Sequence, residues 1–180
     1  TKYFQEQILQ DFSKVHPDFE ITLLRYFNPV GAHPSGFIGE DPNGIPNNLF
    51  PFVLRVASRQ YQELSIFGDD YNTPDGTCIR DFIHVMDLAE GHVAAIKNSK
   101  SGTNIYNLGT GKGVSVMELV KSFEKVNTIT IPYKIVGRRE GDIESVYSDA
   151  EKAKKYLQWE TKRTLEDICR DGYHFILSRK

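Results

Sequence analysis

Between Asn28 and Asn47 the chain carries Pro29, Pro34, Pro42 and Pro46 together with Gly31, Gly36, Gly39 and Gly44. Proline removes backbone donors and glycine favours turns, so that density disfavours long regular elements. The stretch predicts a long shaped loop, and loops of this length in compact domains usually carry function. It follows Glu20 to Phe27 (Glu-Ile-Thr-Leu-Leu-Arg-Tyr-Phe), which reads as a parallel strand covered on both faces. It runs straight into a helix opened by Asn47 or Asn48 and reaching about Arg59, with Pro51 tolerated in the first turn. Polar groups are thereby set at the carboxyl end of a strand, where open α/β sheets bind ligands.

The remaining pattern supports that architecture. Phe4, Ile8, Phe12 and Val15 recur at helical spacing over residues 1 to 15, and Pro17 ends that helix. Strands are expected at Glu63 to Phe67, Ile79 to Val85, Asn104 to Leu108 and Thr128 to Val136. Asp87-Leu-Ala-Glu90 and Ser115-Val-Met-Glu118 both have the form of a capping box, opening helices to about Lys97 and Val126. Asp149 is expected to cap a short helix to Tyr156, and Thr164 to start the last one, to about Ser178. Strands alternating with helices give an α/β fold.

Composition narrows the function. With 39% hydrophobic and 26% charged residues the chain reads as a soluble globular protein. A net charge of −2 offers no basic surplus to displace phosphate counterions, which argues against nucleic acid. No apolar run is long enough for a membrane span, and no signal peptide is visible, although a truncated amino terminus would hide one. Cys78 and Cys169 lie far apart without a CxxC pattern and read as reduced thiols of a cytosolic protein. The histidines, His16, His33, His84, His92 and His174, have no ligand spacing such as HExxH, so no metal site is expected. Chain start at Thr1 rather than methionine fits a fragment.

Several residues bear chemistry. Gly109-Thr-Gly-Lys-Gly113 follows a strand and precedes a helix, but its spacing is GxGxG, not GxGxxG, and no acidic residue follows at the distance a dinucleotide fingerprint needs. A tight turn is the better account. Arg80 sits inside an apolar strand, where a guanidinium is costly without an anion. Asp81 is one candidate partner, yet adjacent strand residues point oppositely, which leaves a ligand phosphate. Arg138-Arg139-Glu140-Gly141-Asp142 is a charged loop that solvation alone would explain, though convergent arginines also suit a pyrophosphate. Asn48 and Leu49 open a helix whose free N–H groups favour phosphate. Ser65-Ile66-Phe67 ends in a turn at Gly68 and offers a strand edge and an aromatic platform.

The run from Leu24 to Gly36, continuing through Glu40 to Leu49, resembles UDP-galactose 4-epimerases of the extended short-chain dehydrogenase/reductase group, and the resemblance covers essentially the whole chain. It implies the carboxyl-terminal half of such an enzyme: the last strands and helices of a Rossmann-type doubly wound sheet in residues 1–31 and about 79–113, and a UDP-sugar-binding domain in about 32–78 and 114–180. Apolar faces of the first part would then stand uncovered. The implied reaction interconverts UDP-glucose and UDP-galactose through a 4-keto sugar with NAD as cofactor, in a cytoplasmic homodimer. Lys2, by itself an ordinary helix lysine, matches the lysine of the family's Tyr-x-x-x-Lys motif, which lowers the pKa of the catalytic tyrosine and binds the nicotinamide ribose. Tyr26 and Phe27 match nicotinamide-side contacts, and Asn28 a UDP-sugar ligand. Asn48 and Leu49 match the diphosphate site, Ser65, Ile66 and Phe67 the uracil site, Arg80 and Arg139 the diphosphate clamp, and Asp142 the ribose site.

Val146 matches a gate beside the sugar C2 substituent; a one-residue slip would put Tyr147 there, and without the family Val146 is an apolar strand residue. With the motif tyrosine and glycine-rich cofactor loop absent, the chain alone is expected to be inactive. Two other readings remain open: a nucleotide-sugar dehydratase or decarboxylase, and a non-catalytic UDP-sugar-binding module.

Overall fold

In the computed structural model, which describes residues 1–179, helix α1 (Lys2–Val15) leads into strand β1 (Glu20–Tyr26) and then β2 (Asn28–Val30). After the long loop come α2 (Leu49–Ala57), β3 (Leu64–Phe67), β4 (Ile79–Arg80), β5 (Phe82–His84), α3 (Val85–Lys97) and β6 (Gly102–Leu108). The chain closes through β7 (Val114–Ser115), α4 (Val116–Asn127), β8 (Tyr133–Val136), β9 (Ser145–Val146), α5 (Glu151–Leu157) and α6 (Leu165–Ser178).

The strand that precedes the loop changes neighbours along its length. β1 runs parallel to β6, from Glu20 opposite Gly102 to Tyr26 opposite Leu108. Phe27 N–H still bonds Leu108 O at 3.2 Å, but Asn28 N–H bonds Asp81 O at 2.9 Å, and β2 continues parallel to β5. Such a partner change opens a crevice at strand ends. β3 pairs in parallel with β8, and β4 lies between antiparallel β7 and parallel β9.

Two apolar clusters hold these elements. One joins α2, α4 and α6 through Phe50, Leu54, Leu119, Phe123, Ile168 and Ile176. Phe123 is fully buried and meets Phe50 and Tyr173 edge to face, at 6.1 and 5.7 Å between ring centroids; truncating such a side chain typically costs about 3–5 kcal/mol. Gly172 lets α6 approach α2, since a Cβ there would lie 2.5 Å from the Phe50 ring. The second cluster gathers Ile83, Leu88, Tyr106, Leu108, Leu157 and Trp159, so that α5 packs with α3 and β6. α1 inverts the usual arrangement. Its inward side offers Glu6, which pairs with Arg25 at 2.5 Å, and buried Ser13, while Phe4, Ile8 and Val15 of its apolar face are exposed.

Several local expectations need correction. The stretch Ile79 to Val85 is not one strand: it breaks at Asp81, whose buried carboxylate leaves the ladder to collect other donors. Asp87-x-x-Glu90 is not a capping box. α3 starts earlier, with His84 as N-cap accepting from Met86 N–H at 3.0 Å, and Asp87 is instead buried against Arg163. The strand expected from Thr128 begins only at Tyr133, because α4 runs on to Asn127 and ends on Thr128 in the left-handed region, φ 53°. Ala150 holds the N-cap position of α5, with Asp149 one residue earlier accepting from Glu151 N–H at 3.0 Å. By contrast, Ser115–Glu118 forms a complete capping box on α4, and Thr164 builds another with Asp167 on α6.

Candidate functional site

The partner change at Phe27–Asn28 forms one wall of a cleft of about 630 Å³. Phe27 and Asn28 line it from the strand end, and Asn47, Asn48 and Leu49 from the start of α2. Asn48 occupies the N-cap position, yet its side chain makes no capping bond, contrary to the sequence expectation. Its amide and the first N–H groups of α2 therefore retain hydrogen-bonding capacity, and Pro51 has no N–H to satisfy. A helix start of this kind favours an anion.

Ser65, Ile66 and Phe67 form a second wall. Leu64 N–H and Gly68 N–H bond the carbonyls of Pro132 and Val136 in the β8 direction, at 2.8 and 2.9 Å. Alternation turns the backbone groups of Ser65 and Phe67 to the opposite edge, which no other strand pairs among the described residues. That edge offers donors and acceptors beside the partly exposed Phe67 ring.

Arg80, Arg139 and Asp142 complete the lining. Arg80 Nη1 donates to the Ile79 and Ile143 carbonyls at 2.8 and 2.7 Å, and its Nη2 lies 3.7 Å from Asp142 Oδ1. Asp81 is not its partner. The fully buried Asp81 carboxylate faces the other way and accepts from Thr110 N–H and O–H, Gly111 N–H, and Ser148 N–H and O–H. This explains the glycine loop. The amides that a dinucleotide phosphate would need are already occupied by an internal carboxylate, and a Cβ on Gly109 would lie 2.5 Å from Asp81 Oδ2. Arg139 grips Asp142 in a two-pronged pair, Nε to Oδ2 at 3.2 Å and Nη2 to Oδ1 at 2.8 Å, and its guanidinium lies 5.5 Å from the Phe67 ring centroid. That bond to Asp142 holds the Arg139 pKa above its ordinary value, against the opposing effect of burial. Arg138 is diverted: it bonds Asp70 at 2.7 Å and stacks on Tyr71 at 4.1 Å.

Three expected residues lie off the cleft lining. Lys2 is exposed at the first turn of α1. Tyr26, about half exposed, directs its hydroxyl to His92 Nε2 at 2.6 Å. Because His92 Nδ1 faces the Leu88 carbonyl at 2.8 Å, it carries the proton, and Nε2 accepts from the phenol. Val146 sits in β9 with its backbone in register with Arg80. Thr77, Cys78 and Val116 line the cleft without having been singled out. Thr77 carried a signal, the Asp75-Gly76 turn: Asp75 accepts from its N–H and O–H at 2.9 and 2.7 Å. Val116 carried none, since only the joining of β7 to β4 brings it there. Among the described residues no cluster of three or more His, Cys, Asp or Glu is placed to hold a metal, and no helix is long and apolar enough to cross a membrane.

Residues 1–109 match the profile of the NAD dependent epimerase/dehydratase family. Over 97% of its length the chain is 56% identical to a UDP-glucose 4-epimerase of Pasteurella multocida, covering 52% of that protein. The fold matches the UDP-glucose 4-epimerase of Bifidobacterium longum in complex with NAD+ and UDP, with a TM-score of 0.94 and 52% identity over 98% of this chain and 53% of that one. It likewise matches the UDP-glucose-4-epimerase of Stenotrophomonas maltophila with bound NAD and formylated UDP-arabinopyranose, with a TM-score of 0.96 and 44% identity over 99% of this chain and 54% of that one. The chain thus spans about half the length of the curated relatives it matches.

Proposed function

The chain belongs to the NAD dependent epimerase/dehydratase family, and from that premise we propose that it supplies the UDP-sugar site of a UDP-glucose 4-epimerase, which interconverts UDP-glucose and UDP-galactose. The observation that carries this reading is the single cleft where a strand edge with an aromatic, a helix start and two arginines converge. The Ser65–Phe67 edge suits a uracil, with Phe67 as platform. The α2 amides, Asn48, Arg80 and Arg139 suit the diphosphate, because bidentate guanidinium contacts match its oxygens. Asp142 is an acceptor for ribose hydroxyls. Asn28 and Val146 then belong to the sugar end.

The residues present fit only the nicotinamide end of the cofactor. Phe27 borders the cleft, whereas the glycine loop is filled by Asp81. Lys2 and Phe27 would hold that end, with Tyr26 beside Phe27 in sequence. The chemistry that bound NAD would supply there is a hydride acceptor and donor. The Lys2 ammonium would favour the phenolate form of the family motif's tyrosine and so lower its pKa.

The two apolar clusters support a division in which residues 1–31 and about 79–113 belong to a nucleotide-binding domain and about 32–78 and 114–180 to the UDP-sugar domain, with α5 packed across onto the former. The outward apolar face of α1 supports a homodimer, and two free cysteines agree with a reducing cytoplasm.

Calorimetric titration of the full-length polypeptide carrying this sequence tests the site. UDP is expected to bind, and uridine to bind roughly tenfold or more weakly for want of charge-assisted bonds. Conversion of UDP-galactose to UDP-glucose with NAD tests the activity. Absence of UDP binding overturns the reading.

A further inference from the structure

Asp142 occupies the position where an anionic ligand would meet both arginines. It pairs with Arg139 through both carboxylate oxygens, at 3.2 and 2.8 Å, and stands 3.7 Å from Arg80 Nη2. Its side chain is only 13% exposed, against 58% for Arg139. The turn that carries it is fixed: Asp142 N–H bonds Arg139 O at 3.2 Å, Gly141 takes φ +83°, and Arg80 clasps the next carbonyl, Ile143 O, at 2.7 Å. The carboxylate and Arg80 are therefore held in place, whereas the exposed Arg139 is free to change partner.

We propose, on the basis of the UDP-site reading, that Asp142 is a built-in counter-anion that makes the cleft select against free pyrophosphate and accept a diphosphate only when a ribose comes with it. The charge balance gives the reason. With Asp142 ionised, two guanidiniums face one carboxylate, so an entering inorganic anion must break the Arg139 pair and then sit beside a like charge in a half-buried site. A nucleoside diphosphate changes that balance. Its vicinal ribose hydroxyls donate to the Asp142 oxygens, satisfying the carboxylate while Arg139 turns to the phosphates. Ribose and diphosphate binding are thus coupled through one carboxylate, and discrimination rests on a repulsive element as well as an attractive one.

Asp142→Asn separates the two roles, because it keeps the size and a hydrogen-bonding head while removing the charge. In calorimetric titrations of the full-length polypeptide, the variant is expected to bind pyrophosphate at least about fivefold more tightly than the wild type, a modest share of a like-charge interaction at this range. It should bind UDP roughly tenfold more weakly, since a charge-assisted acceptor for the ribose is lost. Opposite signs are the signature, as simple damage to the site weakens both ligands. Asp142→Ala should show the same gain for pyrophosphate and a larger loss for UDP. Pyrophosphate binding that is unchanged, weaker or undetectable in both variants, while the wild type binds UDP, overturns the counter-anion role. Failure of the wild type to bind UDP overturns instead the reading of the site on which it rests.

Discussion

Replacing Asp81 by alanine should be among the most destabilising single changes in this chain. The carboxylate is fully buried and accepts five donors, the N–H and O–H of Thr110 and of Ser148 and the N–H of Gly111, at 2.6 to 3.1 Å. Not all are equally costly to abandon. Gly111 is exposed and Thr110 half-buried, so water can replace Asp81 there, whereas the two Ser148 donors lie in a buried site. At about 1–2 kcal/mol for each of the two Ser148 donors left unpaired, the lower part of the range for a buried group, and about 0.3 kcal/mol for each of the three wetter ones, the loss comes to about 3–5 kcal/mol. That is a large fraction of the roughly 5–15 kcal/mol that holds a typical domain. Asp81→Asn should cost somewhat less, since one amide oxygen still accepts while its NH2 is turned against donors. Urea unfolding of the full-length polypeptide, followed by tryptophan fluorescence from Trp159 in the adjoining cluster, reads this directly. With a slope of about 2 kcal/mol per molar, the midpoint should fall by about 1.5–2.5 M. A loss below about 1 kcal/mol in Asp81→Ala would refute the accounting, and with it the claim that an internal anion organises the glycine loop.

Arg80→Ala and Arg139→Ala should each weaken UDP binding by about 1.5–3 kcal/mol, the range for hydrogen bonds to charged groups; calorimetry showing unchanged affinity in both would remove the clamp. Asp167 is held down at a pKa of about 2, from 3.8, first by the Thr164 backbone N–H and then by Arg170, against burial. A depressed carboxylate stabilises the fold above its unfolded pKa, and this contribution, about 2 kcal/mol, is lost as pH falls from near 4 through 2. Asp167→Asn should flatten that acid limb in unfolding measurements between pH 5 and 2. For the sugar end, if Val146 borders the C2 substituent, the full-length enzyme should accept UDP-N-acetylglucosamine as well as UDP-glucose, and Val146→Tyr should suppress the former selectively. A wild type that strongly prefers the unacetylated sugar, with no change in the variant, would reassign the position.

What the sequence made legible follows the range of the interaction that fixes each feature. α1, β1, β3, α4 and α6 are set by periodicity and by caps within four residues, and they stand where the pattern put them. The misread elements are those decided from afar. Asp87-x-x-Glu90 has the letters of a capping box, but Arg163 and the backbone of Lys162 compete for Asp87, and His84 caps the helix instead. The contact of the Tyr26 hydroxyl with His92, one helix away, is likewise invisible in the local pattern. The cleft was legible wherever a residue type was costly without a ligand, as with Arg80, and silent where an ordinary residue such as Val116 is carried in by strand pairing.

The pair Arg80–Asp81 shows how far one local rule reaches. Period-two alternation already sent the two side chains to opposite faces, which left each in need of a partner. For Asp81 the partner is a cluster of backbone N–H groups in Gly109–Gly113, the same chemistry by which glycine loops hold phosphate. A row of small residues states that amides will converge; it does not state whether the anion they receive comes from a ligand or from the chain. The break between β4 and β5 does contain the missing information, as a buried acidic residue with no cation to meet it among the described residues. A glycine loop that faces such a carboxylate is already occupied, and a glycine loop without one remains available to a phosphate.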